Sequence, residues 1–193
     1  MSATISLPGF ANPVGEAQMT FRAVLDAMAR PGTMHRAGPD LTAPAPLDPA
    51  TAAVLLTLVD NEAPLWIDHE AAAAGDWLAF HCGATIVTEC GNAAFALALS
   101  LPDLAGLPVG THETPEASAT LILQVAALGI GARYRLSGPG LREPRIMAVD
   151  GLPPDFAATW QRNHAQYPCG IDIILCSGTT LAALPRSVSV EEA

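Results

Sequence analysis

Lysine is missing from this chain of 193 residues, and its absence excludes several kinds of chemistry. The nine Lys and Arg positions are all arginines. A chain without lysine cannot form a Schiff base with pyridoxal phosphate or with a carbonyl substrate. It also lacks the lysine with which a phosphate-binding loop holds a nucleotide. We therefore expect neither pyridoxal phosphate nor any other cofactor in this protein.

Positive charge is scarce and unevenly spread, and the formal net charge is −10. Residues 37–132 carry eleven acidic and no basic side chains, whereas residues 133–193 carry six of each sign. A long acidic block repels the phosphates of nucleic acids and of anionic membranes. The charge distribution therefore predicts a protein that binds neither nucleic acid nor a membrane surface.

Long apolar runs are also missing, although half of the residues are hydrophobic and the mean hydropathy is +0.32. No run approaches the length of a membrane span, and the amino terminus lacks the basic and apolar segments of a signal peptide. These features predict a cytoplasmic protein with reduced thiols. The high apolar content excludes a disordered chain and predicts a single domain over residues 1–193.

Metal-binding motifs are absent as well. Cys82 and Cys90 are eight positions apart and Cys169 and Cys176 seven, which differs from the two-residue gap of a zinc knuckle. The pairs at positions 69–70 and 112–113 begin like a zinc-protease motif but have no second histidine four residues on. We predict no metal site and interpret the cysteines as buried, inert thiols.

The chain does contain alternating helix and strand signals. Asn12-Pro13 is typical of a helix start, and the apolar residues of the segment that follows fit one helical face: Val14, Phe21, Val24, Leu25 and Met28. Further helices are predicted over 50–60, 76–81 and 153–165, and strands over 64–68, 85–88, 118–127, 133–137 and 170–176. This order predicts a mixed α/β fold with a central sheet flanked by helices in three layers.

The only basic cluster comprises Arg133, Arg135, Arg142 and Arg145. In the segment 133–137 two of these arginines alternate with apolar residues, which is typical of a half-buried strand. Two interpretations stay open for the cluster. The arginines either neutralise the acidic block across a sheet or a dimer contact, or they bind a phosphate or an acidic partner, since guanidinium groups pair well with oxyanions.

Two residues of the last buried strand and of the turn that follows it, Asp172 and Gly178, complete the candidates. Gly178 lies in a turn after the strand, where backbone amides either form a plain turn or bind an anion. Asp172 lies inside the apolar strand, where an unpaired carboxylate would be costly. We therefore predict a structural ion pair between Asp172 and Arg186, and no catalytic residue.

Several segments, in the same order and spacing, resemble the PhnH family, whose members are subunits of the bacterial carbon–phosphorus lyase core complex. The segments are 21–22, 25–32, 55–61, 80–84, 119–125, 136–141, 170–175 and 184–186. The resemblance extends over about residues 8–188. Cys82 and Ser187-Val188 depart from the family pattern, which expects threonine there.

The resemblance implies a fold like the large domain of pyridoxal-phosphate-dependent transferases without the cofactor site. It also implies a homodimer when the protein is alone, and the partners PhnG, PhnI and PhnJ in the complex. That complex forms α-D-ribose 1-phosphonate 5-triphosphate from ATP and a phosphonate. We expect a non-catalytic subunit of such a complex. The alternative is a stand-alone protein that binds a phosphorylated substrate or nucleotide at the Arg133–Arg145 cluster or at the Gly178 turn.

Overall fold

The computed structural model describes residues 6–193, which form four α-helices, ten strands and four short 3-10 turns. The α-helices are α1 (Pro13–Ala29), α2 (Pro49–Leu58), α3 (Gly75–Cys82) and α4 (Phe156–His164). The strands are β1 (His35–Arg36), β2 (Leu65–Ile67), β3 (Ile86–Val87), β4 (Phe95–Ala98), β5 (Thr120–Gln124), β6 (Ala127–Ser137), β7 (Arg145–Asp150), β8 (Asp172–Ser177), β9 (Thr180–Leu184) and β10 (Ser189–Glu192). The 3-10 turns are Ala72–Ala74, Cys90–Asn92, Leu104–Gly106 and Pro115–Ala117.

A seven-stranded mixed sheet in the order β1-β9-β8-β5-β4-β2-β3 forms the centre of the fold. Strands β8, β5, β4, β2 and β3 are parallel, whereas β9 runs antiparallel to both of its neighbours. The middle strands β5 and β8 are apolar on both faces and buried, as expected for parallel strands covered on both sides. The mixed α/β prediction is therefore confirmed at the level of a central sheet with helices.

Helices α1, α2 and α3 cover one face of the central sheet. Their buried side chains, such as Val24, Leu55 and Trp77, share a core with sheet residues such as Ile122 and Ile174. Helix α2 is buried along most of its length, which explains why its sequence shows little helical periodicity.

The opposite face of the central sheet is covered mainly by a second sheet, in the order β10-β6-β7, which we call the small sheet. Its inner side chains Tyr134 and Leu136 pack with Phe156 and Trp160 of α4 against the central strands. The expectation of helices on both faces was therefore incomplete, because one antiparallel sheet replaces most of the helical layer. Pairing between β10 and β6 spans more than fifty residues, which local patterns do not reveal.

Helix α1 begins where the sequence predicts. The Asn12 side chain accepts a hydrogen bond from the backbone N–H of Gly15 (3.2 Å), and the Glu16 carboxylate accepts one from the N–H of Asn12 (2.6 Å). This reciprocal arrangement satisfies amides at the helix start. The predicted absence of a signal peptide concerns the amino terminus, of which residues 1–5 lie outside the described residues. Within 6–193, no helix has both the length and the hydropathy that a bilayer crossing requires.

Candidate functional site

The predicted alternation in β6 is confirmed. Arg133 and Arg135 are exposed on the outer face of the small sheet, while Tyr134 and Leu136 are buried on its inner face. Arg135 lies directly opposite Glu191 of β10, so the two side chains share one face. At this position the arginine faces an acid across the sheet, in line with the first interpretation of the cluster.

Arg142 and Arg145 lie on the hairpin that joins β6 to β7 and line an open groove of about 670 Å³. A third arginine of this groove, Arg30, comes from the end of α1. Arg145 holds the hairpin to that helix, because its Nη1 donates to the carbonyl oxygen of Pro31 (2.9 Å). Arg30 forms an ion pair with Asp26 on the same helix, one turn earlier.

Arg133 lines a second open groove, of about 630 Å³, which shares Ile146 with the first. The walls of this groove are otherwise mostly apolar and include Met34 and Ile130, which are 54% and 64% exposed. Three of the four predicted arginines therefore line two adjoining grooves, Arg133 from β6 and Arg142 and Arg145 from the hairpin and the start of β7, and Arg135 lines neither. Sequence reasoning missed Arg30, which is 115 residues away from Arg145 and carries only a helix-end signal.

The Gly178 turn already has a carboxylate within the protein. The Gly178 N–H donates to Asp48 Oδ2 (2.7 Å), and the Gly178 carbonyl accepts from the N–H of Ala50 (2.9 Å). Asp48 stands just before α2, so these bonds fasten the start of that helix to the β8–β9 hairpin. The amide that a ligand would need is therefore engaged in an internal contact.

Asp172 and Arg186 are brought together at the start of β8. Arg186 Nη2 lies 2.6 Å from Asp172 Oδ2, and the Arg186 backbone N–H donates to Oδ1 (2.7 Å). Both side chains are nearly buried, with exposures of 13% and 15%. Arg186 Nη1 also donates to the carbonyl oxygen of Pro115 (2.7 Å), and His164 Nδ1 donates to the Arg186 carbonyl (2.9 Å). This network joins α4, β8 and the loop before β5.

Two of the four thiols, those of Cys82 and Cys176, lie where they react poorly. Burial raises the pKa of Cys82 to about 12 and that of Cys176 to about 12, so both stay protonated near neutral pH. Cys169 and Cys176 are buried as predicted, whereas Cys82 and Cys90 are only half-buried, so the prediction of four buried thiols was wrong for those two. Among residues 6–193, no three His, Cys, Asp or Glu side chains come together in a group that could hold a metal ion.

One face of α1 is exposed although it is apolar. Val14, Phe21 and Leu25 are 83%, 46% and 51% exposed, whereas the helix buries Thr20, Val24 and Ala27. At 100° per residue, the exposed side chains lie about a third of a turn from the buried ones. The face that the sequence indicates is therefore real, but only Val24 and the partly buried Met28 on it pack against the core. We call Val14, Phe21 and Leu25 the α1 apolar face.

Comparison with known proteins places these features in a family. Residues 8–191 match the family described as bacterial phosphonate metabolism protein (PhnH). The chain is 37% identical over 187 residues to the α-D-ribose 1-methylphosphonate 5-triphosphate synthase subunit PhnH of Rhizobium meliloti (strain 1021), with 94% of each chain covered. It is 32% identical over 178 residues to the putative C-P lyase subunit protein HtxG of Stutzerimonas stutzeri, with 90% of this chain and 85% of the relative covered. The chain therefore belongs to the PhnH family of bacterial phosphonate metabolism proteins.

Proposed function

We propose that this protein is a non-catalytic subunit of a carbon–phosphorus lyase core complex that processes organic phosphonates. The observation that carries the proposal is the α1 apolar face, because exposed apolar side chains grouped on one element are typical of a protein–protein contact. The names of the two relatives, both subunits, support it. In this role the chain supplies surfaces that hold other subunits.

The finer assignments follow from the family resemblance and are part of the proposal. The chain acts as a single domain over 1–193, forms a homodimer when alone, and joins PhnG, PhnI and PhnJ in the cytoplasm. The complex as a whole transfers a phosphonate to the ribose of ATP. The fold is a cofactor-free version of the large domain of pyridoxal-phosphate-dependent transferases, and the absence of lysine supports the lack of that cofactor.

Charge substitutions on the α1 apolar face test the proposal. We expect Phe21→Glu and Leu25→Glu each to reduce co-purification with PhnG, PhnI and PhnJ, or homodimer formation, at least tenfold, because a carboxylate would be desolvated at the contact. Both side chains are exposed, so the free protein should keep its stability. Phe80→Glu on α3 is the matched control, since Phe80 is also an exposed aromatic residue on a helix.

Native mass spectrometry and analytical ultracentrifugation read the two assemblies separately. Unchanged dimerisation and unchanged complex formation in both variants would contradict a role for this face. A loss equal to that of Phe80→Glu would show a general effect of added charge rather than a contact.

A second candidate function is supported by the groove lined by Arg30, Arg142 and Arg145. Three guanidinium groups around one opening suit a phosphorylated ligand such as ATP. The neighbouring Glu143 carries a single negative charge and offsets only part of their positive charge. The engaged amide at Gly178 makes that turn the weaker of the two binding positions. Titration calorimetry of the isolated protein with ATP and with methylphosphonate distinguishes the two functions. The subunit proposal expects no heat of binding. Binding that disappears in Arg142→Ala would favour the second candidate.

A further inference from the structure

Strand β7 forms an outer edge of the small sheet, and this edge is open. It pairs with β6 on one side. Among the described residues, no backbone bond from another loop or strand reaches 145–150. Edge strands are normally protected by proline, by charged side chains or by a covering loop, since an open edge invites another strand. The segment Arg145–Asp150 (RIMAVD) contains no proline, and its charged residues stand only at its two ends.

The register shows which backbone groups point outward. The N–H of Ala193 donates to the carbonyl of Arg133 (3.0 Å), so the backbone groups of Arg133 face β10. In an antiparallel sheet, alternate residues face opposite neighbours, so Tyr134 and its partner Met147 bond to each other. The N–H and C=O groups of Ile146 and Ala148 therefore face away from β6, towards solvent.

The surroundings of this edge favour an extended and acidic occupant. The two adjoining grooves follow β7 on either side of Ile146, which is itself 41% exposed. One groove has apolar walls with Arg133, and the other contains Arg30, Arg142 and Arg145. An added strand would place alternate side chains on the outer face, beside Ile146 and the arginines.

We propose that β7 accepts an extended, acidic segment of another subunit as a fourth strand of the small sheet. This inference rests on the proposed function. A second copy of this chain fits that description less well, because in antiparallel self-pairing the Arg145 end of β7 would lie beside the Asp150 end of the other copy, and that strand offers a single carboxylate to the three arginines of the groove. Pairing of β7 with the acidic edge β10 of another copy is head-to-tail, so it would build a ring or a filament rather than a two-fold dimer.

Ala148→Pro tests the edge with little cost to the fold. Proline removes an N–H that the structure leaves outside the ladder, and edge strands tolerate proline there. We expect the variant to bind the co-expressed partner subunits at least tenfold more weakly, whereas Ala148→Ser, which keeps the N–H, binds as the wild type does. Arg133→Ala should weaken binding about threefold and lower its dependence on salt, as for an exposed charge at an interface.

Hydrogen exchange of the wild-type protein gives a second readout that does not depend on variants. In the complex, amide exchange should slow at least tenfold at Ile146 and Ala148, while Met147, already bonded to β6, is slow in both states. If the complex forms equally with Ala148→Pro, or the two amides stay fast, the edge inference is overturned and the proposed function stands. If the wild-type chain does not co-purify with any partner, both are overturned.

Discussion

Replacing Arg186 with alanine should destabilise the fold more than any surface substitution, because it strands a nearly buried carboxylate. Asp172 accepts hydrogen bonds from Nε and Nη2 of Arg186, and only the Arg186 backbone N–H remains in the variant. The carbonyl of Pro115 loses one of its two donors and keeps the N–H of Ser118 (3.3 Å). Removing one partner of a buried pair costs about 3–5 kcal/mol in comparable cases. Because the Asp172 side chain is still 13% exposed, we expect the lower end, about 3 kcal/mol.

Urea unfolding measures this loss. With a slope of about 2 kcal/mol per molar urea, a loss of about 3 kcal/mol moves the midpoint down by about 1.5 M. Arg162→Ala is the matched control, because Arg162 is exposed on α4 and bonds only to the Thr159 hydroxyl (2.9 Å). It should change the free energy of unfolding by less than about 0.5 kcal/mol.

A double-mutant cycle separates the pair from the rest of the network. Asp172→Ala and Arg186→Ala should be strongly non-additive, since each removes the same contact. A change below about 0.5 kcal/mol in Arg186→Ala, or full additivity in the cycle, would refute the reasoning that the pair stabilises the start of β8.

Three further predictions concern the core, the thiols and the turn. Trp160→Phe should cost about 2 kcal/mol in urea unfolding, because the buried Trp160 Nε1 donates to the Val188 carbonyl (2.7 Å) and phenylalanine leaves that oxygen unpaired. Cys82 and Cys176 should resist Ellman's reagent at pH 8 until urea unfolds the chain, and fast labelling of both in the native protein would contradict this. Their folded pKa values of about 12 exceed the ordinary 9.0. The free energy of unfolding should therefore fall between about pH 9 and 12, where only the unfolded thiols ionise. Gly178→Ala should lower the free energy of unfolding, measured by thermal denaturation, by about 1 kcal/mol. The loss comes from the φ of 55° alone, since a Cβ there meets no atom within 4 Å. A much larger loss would point to a disrupted Asp48 contact.

Local sequence signals predicted the four α-helices and five of the ten strands, namely β2, β3, β5, β6 and β8. The Asn12-Pro13 signal marked the start of α1, and the alternation at 133–137 placed Tyr134 and Leu136 inside. These signals succeed because capping and strand alternation depend on neighbours within a few residues.

Properties that depend on distant segments were not predictable in the same way. The rotation of α1 follows from its packing against α2 and β9, so periodicity alone identified an apolar face but not the face that is buried. Arg30 and Arg142 share a groove only because the β6–β7 hairpin folds back onto the end of α1. The Asp172–Arg186 pair was predictable because a lone carboxylate in an apolar strand requires a partner.

Native mass spectrometry of this chain co-expressed with PhnG, PhnI and PhnJ tests the central proposal most directly. The account predicts one species that contains all four subunits, and loss of this chain from that species when Phe21→Glu and Leu25→Glu are combined. Assembly of the other three subunits without this chain, in the presence of well-folded wild-type protein, would contradict it.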